Sequence, residues 1–368
     1  MEKPIKVRLH IMSPIHIGCD DVYEPTSFVI DENRKKLIAF DPMDFIKSLS
    51  PRDRQEFTRI CMEGNVSSIV KLYNFISNKK PGGREIDISS GLITHYDKVK
   101  KLSTKNEGEI RQELNQFSIS RTAYNPHNNL PYIPGSSIKG ALRTAYLSKL
   151  ATDMSIKGRK DRAKDLEVEL LGGSFRTDPF RMVKPSDFLP VGNMKTKIVY
   201  AVNKKKKVSK FDAKGGNIPQ ILEVVKEDSV FEGTIYIQQP EQKSDIKKPI
   251  AGKELLTATH DFYKKIVNEE GDITHNIGAG RTVVNRIVSE FNDKQRGISA
   301  FLLRIGRHSG AESVTIEGNR HIKIMQGKDK PPKFLDHTTT IWLASETSKP
   351  TSNNGLVPFG WAVMEIVS

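Results

Sequence analysis

The sequence holds only two cysteines, Cys19 and Cys61, in 368 residues, with no Cys-x-x-Cys pair between them. That excludes a disulfide framework and a zinc knuckle, and it fits a reducing compartment. No apolar run approaches the roughly 20 residues that a membrane-spanning helix needs. The first residues have no apolar core of the kind a signal peptide carries. Both absences point to a soluble, cytoplasmic protein with no membrane partner. Acid is in short supply as well. Forty-four Asp and Glu face 58 Lys and Arg, a net charge of +14. A surplus of that size suggests a polyanionic partner such as nucleic acid, although basic charge also serves solubility alone. With 37% hydrophobic and 28% charged residues the chain is globular, and long enough for two cores.

The pattern along the chain is mixed. Ile5, Val7, Leu9 and Ile11 alternate with Lys6, Arg8 and His10, which predicts a half-buried strand. Residues 27–30 and 37–40 flank a polar turn and read as a hairpin. Residues 52–62 and 66–76 read as short helices, and 98–109 as a charged loop. Further strands are predicted over 116–120, 195–202, 218–225, 230–238, 301–305, 339–343 and 361–366. Leu255, Thr259, Phe262 and Ile266 mark one face of a helix. Strands on both sides of a few helices give an α+β fold.

The segment Tyr132-Ile133-Pro134-Gly135-Ser136-Ser137-Ile138-Lys139-Gly140-Ala141-Leu142-Arg143-Thr144 is the most informative. Pro134 and Gly135 punctuate the chain, Ser136 and Ser137 are able to cap a helix, and Ile138, Leu142, Ala145 and Tyr146 then follow at helical spacing. Lys139 and Arg143 share a face one turn apart. Free amides, the positive end of a helix dipole and two cations together favour a polyanion such as a phosphate backbone. The same pattern also describes an ordinary capped helix with solvated cations.

This segment closely resembles the glycine-rich signature of the RAMP superfamily, the RNA-binding subunits of CRISPR effector complexes. Further pieces occur in order along nearly the whole chain: Ser13-Pro14-Ile15-His16-Ile17-Gly18, Asp178-Pro179-Phe180-Arg181 followed by Ser186-Asp187, Arg304-Ile305-Gly306-Arg307-His308-Ser309-Gly310, and Pro358-Phe359-Gly360-Trp361. That set is similar to the branch of fifth subunits of type III-A, or Csm, complexes. The resemblance implies two packed ferredoxin-like (RRM-like) modules with inserted loops and helices, over residues 1–185 and 186–368. It implies a subunit without catalytic residues that caps the 3′-end side of the complex and takes part in CRISPR RNA maturation and assembly. The implied partners are CRISPR RNA, target RNA, the backbone RAMP subunit, the small helical subunit and host nucleases for 3′ trimming. The implied RNA contacts are His16, Gly18, Gly135, Ser136, Ser137, Lys139, Gly140, Arg143, Arg176, Arg181, Arg304, Arg307 and His308. The glycines would let the guide strand approach the backbone closely.

Other chemistry has weaker support. Ile277-Gly278-Ala279-Gly280-Arg281 lacks nucleotide-binding spacing and is followed by no Walker lysine, so no cofactor is implied. No metal-ligand pattern is evident. The alternative function is a metal-dependent endoribonuclease cleaving target or guide RNA through Asp20 or Asp21 in the loop after the first strand. A metal-independent ribonuclease would use His16 with Lys139. A third alternative is a general basic RNA-binding protein outside CRISPR defence. Lys204-Lys205-Lys206-Lys207 reads either as a solvated loop tip or as part of a hairpin leaning over the guide–target duplex, and Tyr124, Tyr132, Phe175 and Phe180 read mostly as core aromatics.

Overall fold

The computed structural model describes residues 4–102, 106–158, 162–173, 175–207, 219–241, 243–246, 248–296, 299–326 and 330–367. Its architecture is α+β. Among the described residues the strands form two large curled sheets and a separate two-stranded hairpin.

The alternating first segment forms the strand Ile5–Ile11, with Val7, Leu9 and Ile11 buried on one face as a period of two requires. It lies in the middle of a six-stranded sheet. The chain's last strand, Trp361–Val367, pairs antiparallel with it on one side, and Val230–Ile237 does so on the other. Ala300–Arg304 extends the sheet beyond the last strand, while Val183–Pro185 and Leu189–Val191 pair with Val230–Ile237. Two helices, Gly135–Asp153 and Gly252–Asn276, supply apolar faces to the same core, where Leu142, Tyr263, Phe231 and Trp361 are fully buried.

The nine-stranded sheet runs in the order Gly18–Val22, Ile119–Thr122, Gln220–Val225, Thr196–Lys205, Arg84–Ile88, Lys36–Ala39, Phe28–Asp31, with Thr340–Ser345 also paired to Thr196–Lys205 and Val357–Pro358 to Thr340–Ser345. Its core is aromatic: Phe28, Tyr73, Tyr96 and Phe117 pack with ring centroids 5.5–6.5 Å apart. Both large sheets draw strands from both sides of residue 185.

The predicted hairpin is present as Phe28–Asp31 and Lys36–Ala39, with Lys35 in the left-handed region (φ 53°) at its turn. The helices over 52–62 and 66–76 are Pro51–Met62 and Val66–Lys79. The charged segment read as a loop over 98–109 is flanked by two helices that enter it, Ser90–Lys100 and Glu107–Gln116. Each buries a narrow stripe, Leu92, Tyr96 and Val99 on the first and Ile110 on the second, among many charged positions. Thr282–Arg296 is a further helix that the sequence reading passed over.

Candidate nucleic-acid interface

Hydrogen bonding lays several distant segments side by side. The Arg307 amide donates to the His16 carbonyl (2.8 Å), the Ala123 amide to Ile17 (2.8 Å), the Tyr132 amide to Ala123 (3.2 Å) and the Ile133 amide to Phe188 (3.0 Å). The loop after the first strand, the Gly306–Gly310 loop, the end of Ile119–Thr122 and the start of the signature helix thus form one continuous ribbon of backbone. The pairing of the first and last strands sets this up, because it brings Ser13–Gly18 against Phe359–Trp361 and the Ala300–Arg304 strand end.

Gly306 needs to be glycine. Its φ is +86°, and a Cβ there would lie 2.5 Å from the His16 carbonyl oxygen. Next to it, the Arg307 side chain lies over Gly18, where an added Cβ would sit 3.2 Å from its Cδ and Nε. Arg307 is 53% exposed, and its one ion-pair contact among the described residues, with Asp20, is long at 4.0 Å. Gly18 and Arg307 therefore present an open backbone and an available cation at the same place.

At the signature helix, Lys139 is half-buried with its ammonium in no ion pair among the described residues. Burial pushes its pKa below the ordinary lysine value. Asp178 opposes that shift, and the neighbouring Arg143 and Lys184 add to it. Ser136 and Gly140 are exposed and Ser137 is half-buried, and a Cβ at Gly140 would meet nothing within 4 Å. Arg176 and Arg181 are exposed on the turn that precedes Val183–Pro185.

Several expected contacts have other roles. Arg143 is bound to two carboxylates, Glu167 at 2.7 Å and Asp178 at 2.8 Å, and lies over the Phe180 ring, so its charge is already matched. Gly135 is buried because the chain itself approaches it: a Cβ would lie 2.5 Å from the Pro185 carbonyl oxygen. Its amide donates to Asp187 Oδ1 at 2.8 Å, and the Ser137 amide to Pro134. Neither serine caps the helix. The anion that the helix start favours is supplied internally by Asp187. Arg304 is buried, 3% exposed, in an ion pair with Glu270 at 2.6 Å, and it donates to the Phe359 carbonyl. Buried in this way, it is out of reach of RNA.

The two histidines are also packing groups. His16 is fully buried, with Nδ1 2.7 Å from the Glu223 carbonyl and Nε2 without a hydrogen-bond partner among the described residues. Burial pushes its pKa down, so it is a neutral group inside the fold, unavailable as a phosphate contact or a surface base. His308, in the left-handed region (φ 64°), sits 4.7 Å from the Trp342 ring and 5.4 Å from Phe359. Burial first, then His16 and Arg307, push its pKa down to about 4. Such a histidine stabilises the fold while neutral. That contribution is complete above the ordinary pKa near 6.5 and is lost as the pH falls through about 4. An NMR titration of His308 should show a midpoint near 4, with local loosening of the Gly306–Gly310 loop on the acid side. A midpoint above 6 would contradict the neutral assignment.

The two acids of the nuclease alternative differ in setting. Asp21 accepts from the Tyr124 hydroxyl (2.9 Å) and the Val22 amide (3.0 Å) and lies 3.5 Å from Arg121. Asp20 is 95% exposed at a left-handed position (φ 58°). Among the described residues no three His, Cys, Asp or Glu side chains converge as the ligands of a metal would.

Lys204 and Lys205 belong to the strand Thr196–Lys205, Lys206 is paired with Glu312 at 2.6 Å, and residues 208–218, the rest of the expected hairpin, lie outside the described residues. The strand Thr196–Lys205 pairs antiparallel with Gln220–Val225 on the far side of those residues, and a separate hairpin is formed by Ile322–Ile324 and Lys333–Leu335, with Lys323 and Lys333 exposed. The sequence reading counted Phe175 among mostly core aromatics, and the structure places it on the surface. It is 78% exposed, and the Arg181 guanidinium lies 5.0 Å from its ring centroid. The available signal was its isolation. It follows a Gly-Gly turn and precedes an arginine, with no apolar periodicity to draw it inward.

A model of the RAMP superfamily matches residues 8–307. A protein of Methanocaldococcus jannaschii named CRISPR system Cms protein Csm5 is 26% identical over 410 residues, covering 99% of this chain and 89% of that protein. A chain of a Csm-crRNA-target RNA ternary complex of a type III-A CRISPR-Cas system superposes with a TM-score of 0.60 at 16% identity, covering 99% of this chain and all of the other. Csm5 of T. onnurineus superposes with a TM-score of 0.52, also at 16% identity, covering 97% and 99%. At that identity the two structures show a shared fold. Among the described residues, no helix is long and apolar enough to cross a membrane.

Proposed function

This chain belongs to the RAMP superfamily, and from that premise we propose that it is the fifth-subunit component of a type III-A (Csm) effector complex, a non-catalytic protein that holds CRISPR RNA on the 3′-end side of the assembly. The observation that carries this reading is the hydrogen-bonded ribbon of loops with Arg307 and Lys139 as available cations beside exposed glycine backbone at Gly18 and Gly140. Cations that neutralise phosphates without reading bases suit a subunit that must accept any guide sequence. The full-length likeness to the M. jannaschii Csm5 protein and the fold shared with a chain of a Csm ternary complex support it. Under this reading the protein is cytoplasmic and meets CRISPR RNA, target RNA, the backbone RAMP subunit and the small helical subunit, and it influences 3′ maturation by limiting or recruiting host nucleases. Under the same reading the fold is two packed ferredoxin-like modules, over residues 1–185 and 186–368, with strands of both segments entering each large sheet. The engagement of Asp21 by Tyr124 and Arg121 and the burial of His16 support a role without cleavage.

The test is single-stranded RNA binding across a salt series, with RNA integrity read in the same samples. Each phosphate contact on a single strand adds about 0.7 to the slope of log K against log salt. Lys139→Ala and Arg307→Ala should each weaken binding and reduce that slope by roughly 0.7, whereas Arg143→Ala should act through stability. Cleavage abolished by Asp20→Ala would replace the proposal with the endoribonuclease alternative.

A further inference from the structure

We propose that Phe175 is a stacking platform for one unpaired nucleobase of the bound RNA, with Arg181 backing its ring. The inference rests on the RNA-binding reading above and adds a contact of a different chemical kind.

A lone exposed apolar side chain is ordinary on protein surfaces. Three observations set this one apart. The first is the anchoring of the turn on the C-terminal side of Phe175. The helix Ala163–Leu171 ends at Gly172 in the left-handed region (φ 71°), and Gly173 follows at φ 145°, where a Cβ would lie 2.1 Å from Thr177 Oγ1. On the other side of Phe175, Asp178 accepts from the Phe180 amide at 2.8 Å and from Arg143 at 2.8 Å, and the Arg181 side chain donates to the Arg176 carbonyl at 3.0 Å. The turn is thereby tied to the signature helix through Arg143. This also accounts for an arginine in that helix whose charge is spent on carboxylates: it positions the turn.

The second observation is the ring's own surroundings. Arg181 lies over the ring at 5.0 Å while the residue remains 78% exposed, so one face carries a guanidinium and the other is open to solvent. A cation on one face of an aromatic ring leaves the opposite face able to accept a second flat partner. The third is charge. Arg176 and Arg181 are exposed on this turn, and Lys184 is exposed just beyond it. Lys139 sits close enough to Lys184 and Asp178 to feel both. A base on Phe175 would thus have cations within reach of its flanking phosphates. An exposed ring among cations is the combination by which proteins hold single strands without sequence preference. An apolar protein partner would gain the ring but would have to desolvate those cations, so the charge favours RNA.

The experiment uses the full chain with two probes of equal length, a single-stranded RNA and a base-free ribose-phosphate oligomer. Phe175→Ala should weaken RNA binding about tenfold, leave the salt slope unchanged and leave binding of the base-free oligomer unchanged. Phe175→Tyr should keep wild-type affinity. A 2-aminopurine placed in the RNA should be quenched by the wild type and not by Phe175→Ala. Equal RNA affinity of Phe175→Ala and wild type would overturn the inference, as would an equal loss on the base-free oligomer. Failure of the wild type to bind RNA at all is a separate result, and it would defeat the RNA-binding reading itself.

Discussion

Arg304→Ala should destabilise the protein by about 3–5 kcal/mol, the cost of leaving one member of a buried ion pair without the other. The Glu270 carboxylate is 9% exposed. It accepts from Arg304 at 2.6 Å and from the Trp361 indole N–H at 2.6 Å. Trp361 is fully buried, and Arg304 lies over its ring at 4.7 Å while donating to the Phe359 carbonyl. The network therefore joins the helix Gly252–Asn276, the strand Ala300–Arg304 and the chain's last strand. Removing the guanidinium leaves the buried Glu270 carboxylate beside Trp361 without its counter-charge. Replacing both partners, Arg304→Met with Glu270→Gln, removes both charges and keeps an acceptor for the indole, so it should cost clearly less than Arg304→Ala alone. Urea denaturation of the two variants measures the difference. Equal midpoints for Arg304→Ala and wild type would show that the pair contributes nothing to stability.

Arg304 also marks where sequence reasoning reached its limit. Gly306-Arg307-His308-Ser309-Gly310 reads as a glycine-bracketed basic loop after a strand that ends near Arg304, and Arg304 and Arg307 look alike in the sequence. Only the tertiary structure separates them, since Arg304 ends a buried strand and meets a carboxylate 34 positions away. The same holds for Arg143, whose partners Glu167 and Asp178 lie 24 and 35 residues downstream. Which cations are neutralised internally depends on non-local geometry, so periodicity and motif cannot report it. Local periodicity was enough for Ile5–Ile11 and Gly135–Asp153, where apolar residues fall on one face. It was too weak for Ser90–Lys100, which buries only Leu92, Tyr96 and Val99 amid charge. The motif reading did find the places that come together: Gly18 and Arg307 touch, though 289 positions separate them. Phe175 was misread because aromatic residues usually go inside, although its isolation after Gly172-Gly173 set this one apart.

Gly306→Ala should remove RNA binding more completely than Arg307→Ala, although it changes no charge. At φ +86° an alanine is strained by about 1–2 kcal/mol. Its Cβ would also press within 2.5 Å of the His16 carbonyl oxygen, an atom held by the buried loop around Ile15–Ile17. Overpacking of that kind costs about 1–3 kcal/mol more. Relief requires the two loops to part, which breaks the bond from the Arg307 amide to His16 and lifts the Arg307 side chain from Gly18. The variant should therefore lose about 2–5 kcal/mol of stability. If RNA lies on the ribbon, its salt slope should fall by more than the single contact that Arg307→Ala removes, because the backbone track itself is disturbed. Binding and urea denaturation measured on both variants separate the possibilities. A Gly306→Ala protein that is less stable yet binds RNA like the wild type would place the RNA elsewhere. One that binds more weakly than Arg307→Ala would tie recognition to the junction of the first-strand loop with the late glycine loop.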